Sequence, residues 1–182
     1  GKKVIVVLNI DAVVDVTKWR DWVDGILLAW QPGQEAGHAI ADVISGKTNP
    51  SGHLTASFPI HYTDVPSAGY FPGTPKERPK KTVYNEGIYV GYRYYNSFNV
   101  PVAYEFGFGL SYTSFELKKM KLSSNTFDDE ISLNVKLKNN GELAGKEVVQ
   151  LYVTAPGKTM DKPESELKAF FKTELLEAGK SQ

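Results

Sequence analysis

The chain has 182 residues, 41% of them hydrophobic, and its 21 Lys and Arg balance its 21 Asp and Glu. The apolar content is sufficient for a folded core, and the balanced charge argues against nucleic acid or an anionic membrane surface as a partner. No apolar run reaches the roughly 20 residues of a membrane-spanning helix. The absence of Cys excludes a disulfide framework and a thiolate nucleophile, and it favours a reducing, cytoplasmic location.

The first elements alternate between strand-like and helix-like patterns. Residues 4–8 form a continuous apolar run, which predicts a strand buried on both faces, as in a parallel sheet. Apolar residues at helical spacing predict one helix over residues 19–27 and a second over residues 36–44. They are Trp19, Val23, Ile26 and Leu27 in the first, and Ala36, Ile40, Val43 and Ile44 in the second. This alternation indicates an α/β class, and because a mid-sheet strand needs neighbours, we expect the chain to be cut from a longer protein.

A glycine turn carrying Glu35 precedes the second predicted helix. A phosphate loop would need a Gly-Lys-Ser/Thr or G-x-G-x-x-G pattern, and Glu35 instead puts negative charge where the anion would bind. The helix N-terminus stabilises a carboxylate by roughly 0.3–1 kcal/mol and opposes the raised pKa of a catalytic acid. We therefore interpret Glu35 as a structural residue of the turn.

Residues 59–84 contain five Pro and little periodicity, which indicates a long ordered loop. Residues 84–115 then hold eleven of the 22 aromatic residues. Aromatic rings can stack on sugars or pack between domains. The cluster lies where the pattern changes from alternating strands and helices to strands alone, which favours packing between domains. After residue 110, period-two alternation predicts strands over residues 115–122, 130–138, 148–154 and 167–174, about half of a β-sandwich.

No catalytic or metal site is visible from the residues alone. His38, His53 and His61 lack the spacing of metal ligands. No G-x-S-x-G elbow is present, and the segment 49–52 is interpreted as a turn. Four carboxylates are available for paired acid/base chemistry, but nothing in the pattern fixes any two of them at a useful separation. They are Asp24, Asp42, Asp64 and Glu86.

Five motifs together resemble the C-terminal half of a glycoside hydrolase family three β-glucosidase. They are ILLAWQPGQEAGHAIADVISGKTNPSGHLTASFP (26–59), VYNEGIYVGYRYYN (83–96), YEFGFGLSYTSFE (104–116), AGKEVVQLYV (144–153) and KPESELKAF (162–170). The resemblance implies that residues 1–110 are the C-terminal half of an α/β sandwich domain with a partial parallel-type sheet and helices, containing the Pro-rich loop 59–84 and an aromatic junction 84–110. Residues 111–182 would be the first strands of an incomplete, all-β fibronectin type III-like sandwich.

The resemblance also implies where the chemistry lies. Similar enzymes are retaining glycosidases, with an aspartate nucleophile in an N-terminal barrel and a glutamate acid/base in the early sandwich domain, both upstream of this chain. Such carboxyl groups lie about 5–5.5 Å apart. We therefore expect no catalytic carboxylate, metal or cofactor in this segment. The substrate-binding residues are not assigned from the sequence. Glu35 belongs to the turn, and Glu86 to the start of a strand before the aromatic cluster.

The match has two departures. Relatives show an N-S/T-G-S-P-V pattern after the first strand, whereas this chain has Asp11 in place of the glycine and Val13 in place of the proline. The turn loses a residue that favours positive φ and a residue of fixed φ, which weakens the interpretation of this loop as a lining of the sugar site. Thr55 likewise replaces the proline of a G-x-L-P-x-T-F-P pattern.

The resemblance thus predicts part of a β-glucosidase that removes terminal β-linked glucose from oligosaccharides or aryl glucosides, with the missing barrel and early sandwich segment as partners. The chain alone is expected to be inactive and not to fold cooperatively. The alternative is a noncatalytic carbohydrate-binding or structural module that holds glycan with the Pro-rich loop and Tyr cluster. Nucleotide binding at the turn is disfavoured by Gln34 and Glu35.

Overall fold

The computed structural model describes residues 1–157 and 159–182, and this part of the chain contains eight strands and two α-helices. Strands pair two by two, as β1-β2, β3-β4, β5-β6 and β7-β8. The fold is thus rich in sheet and poor in helix, and its sheets are smaller than those of a complete sandwich. In chain order the elements are β1 (Ile5–Leu8), β2 (Gly25–Leu28), α1 (Ala36–Ile44), β3 (Phe58–Pro59), α2 (Tyr92–Ser97), β4 (Val102–Tyr104), β5 (Phe115–Leu122), β6 (Leu133–Asn139), β7 (Val148–Val153) and β8 (Glu166–Lys172).

The first strand and its parallel pairing are confirmed. β1 pairs in parallel with β2, with Ile5 opposite Gly25 and Leu8 opposite Leu28. The expected burial on both faces is wrong for this chain, because Ile5 is 49% exposed and Val7 is 37% exposed. Within the described residues, β2 is the one strand that pairs with β1, so the other edge of β1 is uncovered.

The helix predicted over residues 19–27 is wrong, and the helix predicted over residues 36–44 is confirmed. Arg20–Trp22 form a single 3₁₀ turn, and the apolar residues that follow belong to β2. Gly25 disfavours a continuous helix, and a short apolar run beside another strand pairs with it instead. The predicted turn at 49–52 is also wrong: no turn forms there, and Gly52 has no positive φ.

The strands predicted after residue 110 are confirmed, with shifts of up to three residues at their ends. β5 and β6 are antiparallel, and the register shifts between Leu117 and Lys119. Along β6, Leu133, Val135 and Leu137 are less exposed than the residues between them, as strict alternation predicts. Backbone hydrogen bonds from Leu137 and Asn139 to residues 180–182 cover the other edge of β6.

The chain divides into two compact units that interleave along the sequence. In the first, Val16, Phe58 and Tyr95 are the buried apolar residues, and in the second they are Leu137 and Leu176. The domain boundary at residue 110 stays a prediction. The first unit comprises Gly1–Gly37, Leu54–Phe108 and Leu151–Ala169, and the second comprises His38–His53, Gly109–Gln150 and Phe170–Gln182.

Neither α-helix among the described residues combines the length and apolar character that crossing a membrane takes.

Candidate functional site

An open cavity of about 490 Å³ lies at the carboxyl ends of β1 and β2, within the first unit. In open α/β sheets, ligands bind in the crevice outside the carboxyl ends of the strands. Three chain segments form the walls: the loop after β1, the residues after β2, and the residues before β3. The lining residues are Ile10, Asp11, Ala12, Val13, Trp30, Gln31, Thr55 and Ala56.

Trp30 is the aromatic residue of the lining and has an unusual backbone. Its φ of 50° is in the left-handed region, which among the described non-glycine residues only Asn99 also occupies. For a bulky residue this conformation costs on the order of 1–3 kcal/mol and persists only where the surroundings enforce it. The Trp30 ring lies 6.4 Å from the ring of Phe58, a side chain that is 2% exposed, so the core holds the tryptophan in place.

The polar side chains of the lining have no hydrogen-bond or ion-pair partner among the described residues. In residues 1–157 and 159–182, no side-chain hydrogen bond or ion pair is made by Asp11, Gln31 or Thr55. Asp11 does not take the positive φ that the resemblance placed there, so the backbone of this loop differs from the expected turn. The loop nevertheless lines the cavity, and all three residues that depart from the family pattern, Asp11, Val13 and Thr55, line it.

The carboxylates that the sequence offered for acid/base chemistry have other roles. Asp24 accepts hydrogen bonds from Lys3 Nζ at 2.7 Å and from the backbone N–H of Val4 at 2.8 Å, and these bonds lower its pKa. Asp42, which lies on α1, pairs with Lys47 at 3.0 Å. Asp64 accepts from the backbone N–H of His61. Glu86 precedes a turn and α2, so its predicted place at the start of a strand is wrong.

Neighbouring groups lower the pKa of three further carboxyl groups. The pKa of Asp15 is lowered mainly by a hydrogen bond from the Thr17 hydroxyl and then by one from the Thr17 backbone N–H. A hydrogen bond from Lys118 lowers the pKa of Glu116. A hydrogen bond from Lys168 lowers the pKa of Glu166. A general acid in glycoside hydrolysis requires the opposite displacement. That the segment carries no catalytic carboxylate stays a prediction.

The three histidines belong to different segments of the chain. His53 Nε2 is 2.9 Å from Glu147 Oε1 in the second unit, and its Nδ1 is buried without a hydrogen-bond partner in the described residues. His61 precedes the 3₁₀ turn Tyr62–Asp64, and His38 lies within α1. No cluster of three or more His, Asp or Glu side chains with metal-binding geometry occurs among residues 1–157 and 159–182.

The turn at Glu35 is built as the sequence suggests. Gly33 has a φ of 76°, and its carbonyl accepts from the N–H of Ala36, the first residue of α1. Glu35 directly precedes the helix and is exposed. A carboxylate at this position is stabilised by the free N–H groups of the first helical turn.

Comparison with known proteins places the chain in a family. Residues 1–92 match the model of the glycosyl hydrolase family 3 C-terminal domain, and residues 147–182 match that of the fibronectin type III-like domain. The chain belongs to glycosyl hydrolase family 3. It carries the family's C-terminal domain followed by a fibronectin type III-like segment, which confirms the resemblance found in the sequence.

The relatives of this family 3 chain are much longer than it is. Thermostable beta-glucosidase B of Acetivibrio thermocellus is 41% identical over 94% of the chain and 22% of its own length. An exo-alpha-(1->6)-L-arabinopyranosidase of Bifidobacterium longum is 38% identical over 100% of the chain and 23% of its own length. Among solved structures, beta-glucosidase 3B of Thermotoga neapolitana in complex with glucose is 55% identical with a TM-score of 0.93, over 100% of the chain and 25% of that structure. The chain thus spans about a quarter of such proteins.

Proposed function

We propose that the chain is a scaffold segment of a retaining β-glucosidase that hydrolyses terminal nonreducing β-D-glucosyl residues of oligosaccharides or aryl glucosides. The observation that carries the proposal is the match of the whole chain, at 55% identity, to a quarter of the Thermotoga neapolitana beta-glucosidase 3B structure. Retaining hydrolysis needs two carboxyl groups flanking one glycosidic bond. We assign both to segments outside this chain, in agreement with the lowered carboxyl pKa values described above.

In this proposal, residues 1–110 complete an α/β sandwich domain and residues 111–182 begin a fibronectin type III-like sandwich. The parallel pair β1-β2 supports the first assignment, since its uncovered apolar edge suits further strands. The aromatic junction crosses the proposed boundary at residue 110, because the Tyr92 ring packs 4.8 Å from Phe106 and 5.7 Å from Tyr152. Tyr92 Oη also accepts from the N–H of Leu167 at 2.8 Å. Residues 84–108 and 151–169 are thereby joined inside the first unit.

A complementation experiment tests the scaffold role. The chain expressed alone should give no turnover of a chromogenic β-glucoside and no cooperative unfolding transition. Co-expression with the upstream barrel and early sandwich segment of a close relative should restore activity that neither part has alone. Turnover by the isolated chain, in a host strain with its own β-glucosidases deleted, contradicts the proposal.

A second candidate, a noncatalytic carbohydrate-binding module, is favoured by one observation. The Pro-rich loop and its flanks expose four aromatic side chains, and exposed aromatic rings are suited to stacking on sugars. Saturable binding of oligosaccharides to the isolated chain that is lost in Tyr84→Ala, together with no activity in the complementation experiment, would select this candidate. The four side chains are Tyr62, Tyr70, Phe71 and Tyr84.

A further inference from the structure

We propose that one face of the β5-β6 sheet binds an extended acidic segment of a protein partner, with carboxylates at every second residue. Four lysines of these two strands form the surface, which we call the lysine face, and the strand register within the second unit defines it. Binding of such a partner is a property additional to the proposed hydrolysis. The lysines are Lys119, Lys121, Lys136 and Lys138.

The strand register puts the four lysines on the same side of the sheet. In β6, Lys136 and Lys138 are two residues apart and share one side, opposite to the less exposed apolar residues of this strand. Lys119 is the partner of Lys136, and Lys121 is the partner of Asn134. Residues directly opposite each other in neighbouring strands share a face. Lys119 and Lys121 therefore lie on the same side as the lysines of β6.

A β-bulge in β5 brings its lysines to this side. The register shifts between Leu117 and Lys119, which leaves Lys118 as the extra residue. A bulge changes the side that the following residues face. If the pairing of Leu117 continued without the shift, Lys119 and Lys121 would face the apolar side, because side chains alternate along a strand. The bulge therefore gathers positive charge on one face.

Little in the sheet compensates the charge of the lysine face. Lys119 and Lys136 lie directly opposite each other, an arrangement of like charges that destabilises a sheet. Glu116 is the one carboxylate that the described residues of β5 and β6 contain, and it is bound by Lys118. No lysine of the face forms an ion pair with a residue that the structure describes, and the acidic residues 128–130 of the connecting loop are no exception. An anionic partner would offset the repulsion.

The spacing of the lysine face matches that of an extended peptide. Alternate residues of an antiparallel strand are about 6.8 Å apart, since each residue advances about 3.4 Å. An extended peptide has the same repeat, so carboxylates at every second position meet successive rows of the face. Asn134 and Ser181, which lie opposite Lys121 and Lys138, add neutral hydrogen-bonding groups to these rows.

The composition of the face disfavours other polyanions. Single-stranded nucleic acid is held by aromatic side chains that stack on its bases, and none lies among the four lysines, Asn134 and Ser181. A membrane surface is bound by apolar side chains beside the basic ones, whereas the apolar residues of this sheet lie on its other side. A uronate polysaccharide has a repeat that is not tied to that of a strand.

The test uses the full-length protein that carries this chain and fluorescence anisotropy at low ionic strength, where ion pairs are least screened. The probes are two labelled octapeptides of equal composition, one with glutamate and serine alternating and one with all glutamates before all serines. The variant is Lys119→Gln with Lys136→Gln. The matched control is Lys18→Gln with Lys172→Gln, which removes the same charge from two exposed lysines outside the face.

We expect the variant to weaken binding of the alternating peptide about tenfold, equivalent to about 1.4 kcal/mol, and the control to stay within about twofold of wild type. Wild type should bind the alternating peptide more tightly than the block peptide. Removing two opposed like charges should leave the melting temperature unchanged or raise it. Should it fall instead, Lys121→Gln with Lys138→Gln, which leaves one lysine of each strand in place, decides the question by the same tenfold criterion.

Three results would overturn the proposal: no binding of the alternating peptide by wild type, equal affinity for the two peptides, or a variant that matches the control. Polygalacturonate, single-stranded DNA and anionic lipid vesicles are tested as competitors, and one that binds more tightly through the same lysines overturns the assignment to an acidic protein segment. Hydrolysis of a chromogenic β-glucoside should be equal in variant and wild type. A failure of the proposed hydrolysis therefore leaves the peptide result unaffected.

Discussion

Replacing the buried Asn139 with Ala should destabilise the C-terminal end of β6. This side chain is 0% exposed, and its amide is fully used. Nδ2 donates to the carbonyls of Leu143 and Leu176, each at 2.8 Å. Oδ1 accepts from Thr113 Oγ1 at 2.8 Å and from the N–H of Gly141 at 3.1 Å. The side chain thus joins β6, the loop that follows it and the C-terminal segment inside the second unit.

The size of the effect follows from these four bonds. Each intramolecular hydrogen bond contributes about 1 kcal/mol net, and a buried donor or acceptor left without a partner costs about 1–3 kcal/mol. Alanine removes all four bonds, and the carbonyl of Leu176 keeps only the N–H of Gly145 as a donor. We expect the free energy of opening this region to fall by about 3–5 kcal/mol, a large part of a typical domain stability of about 5–15 kcal/mol.

Hydrogen exchange in the full-length protein measures this change locally, because peptides covering residues 139–146 and 173–182 report the opening of the second unit rather than of the whole protein. The control is Asn134→Ala, since Asn134 is an exposed residue of the same strand and should change the opening free energy by less than about 0.5 kcal/mol. A decrease below about 1 kcal/mol for Asn139→Ala would refute the claim that the buried amide holds this end of the sheet.

Three further changes, each made in the full-length protein, test other contacts. Gly109→Ala should destabilise the fold by about 1–3 kcal/mol and lower the melting temperature, because the added Cβ would lie 2.5 Å from the carbonyl oxygen of Gly52; an unchanged melting temperature contradicts this. Tyr92→Phe should cost about 1 kcal/mol in denaturant unfolding, because the N–H of Leu167 loses its acceptor; the ring contact with Phe106 remains, so a much larger loss would point to the ring instead. Asp24→Asn should lower the melting temperature at pH 7, and this deficit should shrink as the pH falls below about 3.9. The pKa of Asp24 is lowered in the folded state, so its stabilisation is present above the unfolded pKa of about 3.9 and is lost as pH falls through the folded value. A deficit that persists at the acidic end would show that the charge of Asp24 is not its cause.

Helices and strands whose apolar residues recur with a clear period could be predicted from the sequence. Elements that form only by pairing with a strand elsewhere in the chain could not. The alternation in β6 and the helical spacing in α1 identified both from local sequence. Residues 26–28 carry apolar side chains that suit a helix or a strand equally well, and the choice is made by pairing with β1, a contact more than a dozen residues away. The burial of Asn139 has no local signature, because the Asn-Asn-Gly sequence that begins with it gives no sign that its first residue is buried.

The cavity could not have been assembled from the sequence. Its walls come from three segments separated by about twenty residues each, and no pattern in the sequence indicates that these segments meet. Asp11 and Thr55 were noticed only as departures from the family pattern, a signal that marked positions worth attention without giving their location. The strain at Trp30 has no local sequence signature, since Trp is among the residues least suited to positive φ.

The walls of the cavity are fixed before any ligand arrives. The register of β1 and β2 places the loop after β1 beside the residues after β2, and the N–H of Ala29 extends this pairing to the carbonyl of Leu8 at 2.9 Å. On the third side, Leu54 exchanges backbone hydrogen bonds with Gly107 and Phe108 at 2.7 and 2.8 Å, which anchors the segment that carries Thr55. A site whose backbone is already ordered loses little conformational entropy on binding. The backbone around the cavity is therefore held by pairing within the first unit rather than by any one side chain of the lining.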